Sequence, residues 1–144
     1  MLKFSKSTGE LFTELKEEKN LGDWRTFNSQ EFVVPLNEYL EKILLEKNLT
    51  KQEVIKRSGL NREYAYHIFS GKKNNPSRQK ILALAIALDL NLDETQYFLR
   101  YAGQGVLYPR NQWDAVIISA IEQNLSVAQT NELLHSLGET LLLN

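Results

Sequence analysis

Cysteine is absent from the 144-residue chain, which removes disulfide frameworks, thiolate metal sites and thiol nucleophiles together. No apolar run approaches the ~20 residues needed to span a bilayer. Met1-Leu2-Lys3-Phe4-Ser5-Lys6 carries two positive charges, but Ser, Thr and Gly follow where a signal peptide needs an apolar core. These absences point to a reducing cytoplasm. Strand signals are nearly missing as well: Glu31-Phe32-Val33-Val34 is the only short β-like run, and Pro35 closes it. Two histidines, His67 and His135, fall on different predicted helices, and neither has metal-ligand spacing to a carboxylate. Gly103-Gln104-Gly105 has no strand before it and no phosphate-binding motif after it. Tyr101, Arg110 and Asp114 are polar and close in sequence, yet nothing gives any of them a nucleophile or base role. The expectation is a protein that is not an enzyme and holds no metal and no cofactor.

What is present is ordinary in total and uneven in distribution. An apolar fraction of 42% and a charged fraction of 24% suit a globular chain. The net charge of −1 looks unfavourable for a nucleic-acid binder. Residues 51–80, however, carry eight cations (Lys51, Lys56, Arg57, Arg62, Lys72, Lys73, Arg78 and Lys80) against Glu53 and Glu63 alone. Residues 1–50 hold seven cations against nine carboxylates, and residues 81–144 two against seven. A basic middle therefore lies between acidic flanks, and a polyanion responds to local potential within a Debye length of ~8–10 Å. A charge run is also what a merely solvated face looks like, so charge alone does not decide.

Helical periodicity covers most of the chain. Leu36, Tyr39, Leu40, Ile43 and Leu44 recur at i, i+3, i+4, i+7 and i+8, one buried stripe. Pro35 suits the first turn there, where its missing N–H would lack a partner anyway. Thr50–Glu53, Asp93–Gln96 and Ser126–Gln129 each place a capping residue three before Glu or Gln, and Asn61 and Asn111 are capping residues without that full pattern. Gly71, Gly103 and Gly138 follow apolar-periodic runs as left-handed stops. The spacing predicts helices near 36–47, 51–57, 62–70, 77–88, 94–102, 112–123 and 127–137, with a weaker one near 8–19. One internal echo appears: Thr95, Leu99 and Gly103 recur 35 residues on as Thr130, Leu134 and Gly138. Shared start and stop chemistry explains it better than duplication, since two elements are fewer than a repeat array needs.

The informative stretch is 49–71. Two short helices are joined by Ser58-Gly59-Leu60, too tight a turn for an antiparallel hairpin. Gly59 supplies the positive φ the turn demands, and Leu60 is expected to drop into the core behind it. Val54, Ala65, Ile68 and Phe69 supply inward faces, with Ala65 small enough for close approach. Arg62, Glu63, Tyr66 and His67 face outward on the second helix.

This run resembles the helix-turn-helix of the Xre/Cro/lambda-repressor class. The features carrying the resemblance are the Leu49-Thr50 helix start, the Ser58-Gly59-Leu60 turn, and Ile68-Phe69-Ser70-Gly71 followed by a basic loop, Lys72-Lys73-Asn74-Asn75-Pro76. Leu82–Leu88 and the helix ending at Gly103 match that class's fourth and fifth helices. The resemblance covers roughly half the chain, residues 36–103. It implies an all-α, lambda-repressor-like five-helix core, with an N-terminal helical arm over 1–34, the DNA-binding domain over 35–103, and a C-terminal two-helix extension over 104–144.

The resemblance also implies a partner, double-stranded DNA, and a function, a transcriptional regulator acting as a repressor. The helix after Asn61 would enter the major groove with its first residues nearest the base edges. Arg62, Glu63, Tyr66 and His67 would then contact bases, Arg62 by a bidentate bond to guanine worth ~1–3 kcal/mol of discrimination. Lys51, Gln52, Lys72, Lys73 and Arg78 would hold phosphates. Three departures stand against the pattern. Glu63 occupies a place where a small or amide side chain is usual, and is expected either to accept from cytosine N4 or to pair with Arg62 or Lys56. Phe69 replaces a frequent Glu, and Tyr64 and Tyr66 make the reading helix unusually aromatic. The alternative is an interaction module or adaptor in which the fold is kept and a protein partner replaces DNA.

Residues 104–144 are acidic and apolar, with Trp113, Val116, Ile117, Ile118, Ala120 and Ile121, then Leu133, Leu134, Leu137 and Leu141–Leu143. Adjacent Ile117 and Ile118 make the first helix apolar on more than one side. Two uses remain open for this extension: a homodimer element, or a lid completing the monomer's core.

Overall fold

The computed structural model describes residues 4–144, which form nine α-helices, one 3₁₀ turn and no strand. The chain is all-helical, and it divides into two units at Val34/Pro35.

In the first unit, α1 (Thr8–Glu17) begins at a full capping box: the Ser7 hydroxyl accepts the Glu10 N–H, and Glu10 answers to the Ser7 N–H. α2 (Leu21–Phe27) has no counterpart in the apolar periodicity; it forms because the Asn20 side chain accepts the Asp23 N–H at its start. A 3₁₀ turn, Ser29–Glu31, follows. The β-like run at 31–34 is not a strand, because among the described residues no second strand exists to satisfy its N–H and C=O groups. Phe32 is extended, and its ring meets Trp24 edge-on at 5.8 Å. Trp24 is the buried centre here, and its Nε1–H donates to Glu14 (3.0 Å). Lys6 bridges Glu14 (2.9 Å) and Asn28 (2.7 Å), and that hydrogen bond from Lys6 holds the Glu14 carboxyl below its ordinary range.

The second unit contains α3 (Leu36–Lys47), α4 (Lys51–Ser58), α5 (Arg62–Ser70), α6 (Arg78–Ala87), α7 (Leu92–Tyr101), α8 (Gln112–Glu122) and α9 (Val127–Ser136). Pro35 stands at the N-cap of α3, one residue outside the helix. The stripe Leu36, Tyr39, Leu40, Ile43 and Leu44 is buried. Tyr39 stacks on Tyr101 at 3.9 Å and on Phe98 at 6.1 Å, and this burial pushes its phenol well above the usual range. After its polar first turn α6 is apolar all round and correspondingly almost wholly buried from Ile81 on, packed by α4, α7 and α9.

α7 starts two residues before its expected position. The cap is Asn91, whose side chain accepts the Glu94 N–H (2.8 Å) while Glu94 accepts the Asn91 N–H (3.0 Å), and Asp93 lies inside the first turn. Lys47 also donates to Glu94 (3.0 Å). Burial acts to raise the Glu94 carboxyl, but the Asn91 N–H and Lys47 outweigh it and hold it below its ordinary value. The echo between α7 and α9 is local chemistry repeated. Thr95 and Thr130 are fully buried, and each donates its hydroxyl to the N-cap carbonyl at 2.8 Å. Leu99 and Leu134 are fully buried, and Gly103 and Gly138 both close their helices at φ +71°.

The C-terminal extension is a lid on the chain's own core. α8 packs on α7 and α9, and α9 on α6. Ile117, Ala120, Ile121, Val127 and Leu134 are buried in those contacts, while Ile118 is half-buried. Arg78, the first residue of α6, ties the lid down. Its guanidinium makes a two-pronged bond to Asp114 (2.9 and 2.8 Å) and donates to the carbonyls of Gly105 (2.9 Å) and Val106 (3.0 Å). Asp114 also accepts the Tyr108 N–H at 2.9 Å. Burial works to raise the Asp114 carboxyl, but the Arg78 and Tyr108 bonds prevail and hold it below its ordinary 3.8.

Two stability outcomes follow from this lid. Leu134→Ala should destabilise the whole second unit by ~2–5 kcal/mol, seen as one urea transition by far-ultraviolet circular dichroism. An unchanged midpoint would mean that α9 is not part of the core. Asp114→Asn should cost about 2 kcal/mol near neutral pH, below the ~3–5 kcal/mol of a fully buried pair because Arg78 keeps some water. Because the Asp114 carboxyl is depressed when folded, its contribution is present above its ordinary 3.8 and is lost as pH falls through the folded value. The gap between wild type and Asp114→Asn in urea unfolding should therefore close below about pH 4.

Candidate nucleic-acid interface

Local chemistry builds the corner between α4 and α5. Thr50 caps α4 by accepting the Glu53 N–H (3.1 Å). At the other end Ser58 is fully buried, its hydroxyl donating to the Ile55 carbonyl (2.7 Å) and accepting the Leu60 N–H (3.2 Å). Gly59 takes φ +71°, ψ 2°, which a side chain would strain. Asn61 then caps α5 by accepting the Tyr64 N–H (3.0 Å). Val54, Ile55, Ala65, Ile68 and Phe69 are buried and hold the pair together. Leu60 differs from expectation. It is half-exposed at the surface of the turn, and the group that enters the core is the Ser58 hydroxyl, which satisfies the turn's backbone there.

The outer face of α5 carries Arg62 and Glu63 exposed, with Tyr66 and His67 half-buried one turn on. Between α4 and α5 lies an open groove of about 410 Å³, lined by Gln52, Ile55, Lys56, Leu60, Arg62 and Tyr66. Gln52 and Lys56 are one turn apart on α4, as Arg62 and Tyr66 are on α5, so two polar ridges face each other over an apolar floor. The Arg62 guanidinium sits 5.8 Å from the Tyr66 ring centroid, and the Lys80 amine sits 4.0 Å from that of Tyr64. Glu63 forms no ion pair with Arg62 or Lys56, and its carboxylate faces water.

The other cations divide by their partners. Lys72 and Lys73 are exposed on the loop after Gly71, with no side-chain partner among the described residues. That loop is held from both ends: the Lys73 N–H donates to the His67 carbonyl (2.9 Å), and Gln104 donates to the Pro76 carbonyl (3.0 Å). Gly71 turns at φ +85° with Asn37 3.1 Å from where a Cβ would sit, so glycine is required there twice over. Lys51 pairs with Glu41 (3.4 Å) and lies 5.8 Å from the Phe69 ring centroid, an exposed and breakable contact. Arg78 departs from its expected phosphate role: its guanidinium is committed to Asp114 and two carbonyls, so it anchors the lid. The sequence places Lys56 only as an ion-pair partner for Glu63 and gives Lys80 no contact. The i, i+4 spacing from Gln52 carries the signal for Lys56; the approach of Lys80 to Tyr64 is tertiary and carries none.

Among the described residues, no three His, Asp or Glu side chains assemble into a possible metal site, and no helix is long and apolar enough to cross a membrane. Residues 40–94 match the family model described as Helix-turn-helix. No curated protein and no solved structure matches the chain. The matched segment runs from within α3 into α7 and contains the whole α4–α5 corner. Residues 40–94 are thus a helix-turn-helix domain of the Xre/lambda-repressor type, a family of DNA-binding regulators.

Proposed function

We propose that the chain is a sequence-specific transcriptional regulator, acting as a repressor, that lays α5 in the major groove of double-stranded DNA. The observation that carries this reading is the groove between α4 and α5, where Gln52, Lys56, Arg62 and Tyr66 converge beside a corner otherwise fully packed. Arg62, at the first position of α5 and exposed, reads guanine through two parallel bonds, and Tyr66 and His67 follow the base edges one turn on. Glu63, with no cationic partner of its own, accepts from cytosine N4 rather than facing phosphate. Gln52, Lys56, Lys72 and Lys73 take phosphates, as does Lys51 once Glu41 yields it. Arg78 is not among them, since four of its five donors are already used within the chain and its charge is paired with Asp114.

The Lys80 amine against the Tyr64 ring bears on the protein-partner alternative. It covers one of the two tyrosines that a protein surface would have to use, leaving Glu63 and Tyr66 as the features favouring that alternative.

Binding to random duplex DNA, followed by fluorescence anisotropy across a salt titration, tests the phosphate contacts. Affinity should fall steeply with salt, and Lys72→Ala/Lys73→Ala should make the log–log slope shallower by up to about 2. No binding even at ~50 mM salt would move the assignment to a protein partner. Base reading is tested separately on a site selected from random sequence. Arg62→Ala should weaken binding to that site about 5- to 150-fold and to random DNA much less. Equal losses on both would remove Arg62 from the reading set.

A further inference from the structure

Residues 139–144 contain no helix, yet side chains of α8 and α9 hold their backbone by specific hydrogen bonds. After α9 the chain reverses at Gly138, φ +71°, and runs back along the lid. The Trp113 indole N–H donates to the Thr140 carbonyl (2.8 Å). The Asn131 side chain then reads the backbone in both directions: its Oδ1 accepts the Leu142 N–H (2.7 Å), and its Nδ2 donates to the Leu143 carbonyl (2.9 Å). Leu142 is 2% exposed, while Leu141 and Leu143 are half-exposed at the rim.

This pattern is that of peptide recognition. A carboxamide carries a donor and an acceptor in one plane, so it matches a peptide backbone without regard to sequence. One buried side chain between two rim residues then supplies the selectivity, as alternate side chains do for an extended peptide on a protein surface. An open cleft of about 380 Å³ lies beside the segment. That cleft is bounded by Leu60, Asn61, Ser77, Lys80 and residues 140–144. The segment therefore borders open space along one side.

We propose that the seat formed by Asn131, Trp113 and the Leu142 pocket is a peptide-binding groove, closed in cis by residues 140–143. Its ligand in trans is an extended segment presenting a leucine to that pocket. The groove abuts the helix-turn-helix corner, since Leu143 lies 3.4 Å, and Val127 3.7 Å, from where a Cβ on Gly59 would stand. Exchange of the occupant therefore changes what supports the turn before α5. That regulatory consequence rests on the DNA reading; the groove itself does not.

The test uses the full chain and needs no DNA. A fluorescein-labelled peptide, Gly-Glu-Thr-Leu-Leu-Leu-Asn (residues 138–144), is titrated by anisotropy against wild type, Leu142→Asp, and Leu142→Asp/Asn131→Ala. In wild type the tethered segment competes at an effective concentration of order mM. Leu142→Asp expels that segment and should bind the peptide at least about tenfold more tightly than wild type. Adding Asn131→Ala should lose about tenfold again, as expected for two backbone hydrogen bonds. Circular dichroism checks the fold, and Leu142→Ala replaces Leu142→Asp if helicity is lost. Equal binding to all three proteins, or no anisotropy change up to ~1 mM peptide, would overturn the groove.

Discussion

The second unit is organised around one constraint, the all-round burial of α6. Ile81, Leu82, Ala83, Leu84, Ala85 and Ala87 point in every direction from the helix axis, so no single packing face can shelter them. Each fully buried leucine or isoleucine contributes ~1.5–3 kcal/mol relative to exposure, against a net stability of ~5–15 kcal/mol for a whole domain. Leaving one side of this helix wet would cost a large share of that margin. α4 and α7 cover two sides and α9 a third, so the extension is part of the core that the helix-turn-helix stands on. Arg78 reinforces the arrangement at the first residue of the same helix by fixing α8 through Asp114.

The candidate interface inherits its rigidity from this core. α4 rests on α6, α5 rests on α3 and α4, and the buried Ser58 hydroxyl satisfies the backbone of the turn between α4 and α5. A groove held on packed helices keeps its polar ridges at fixed separation, which reading a base edge requires. The cations around it fall into three kinds. Lys72 and Lys73 are free in solvent, Lys51 is in a weak surface pair, and Arg78 is in a two-pronged, part-buried bond. All four contribute equally to the positive charge of the segment, yet only the first three are available to a polyanion.

Much of this was legible before any coordinates. α3, α4, α5 and α8 begin where capping chemistry and the apolar stripe place them, because the cap and the first buried residue act within a turn of each other. The glycine stops at 71, 103 and 138 all adopt positive φ. The misses share a cause. α7 is capped by Asn91 instead of Asp93 because two capping boxes overlap there, and Lys47, 47 residues from Glu94 in sequence, also binds that carboxylate. α2 escaped notice because it buries only Trp24 and has no stripe. Leu60, expected behind the Gly59 turn, is half-exposed, and the turn buries the Ser58 hydroxyl, bonded to the Ile55 carbonyl and the Leu60 N–H.

The sequence by itself determined the helical class, the caps and stops, the α4–α5 corner, and the concentration of positive charge in the middle of the chain. Each of these depends on interactions within a few residues, so local order contains the information. The tertiary structure alone decided that the extension is a lid, that Arg78 serves it, and that Lys56 faces Arg62 across a groove. It also decided that Leu142 and Leu143 are read by Asn131 beside the turn at Gly59. These are meetings between groups far apart in the chain, and which of several matching partners a side chain takes is set by the packing of the helices that carry it.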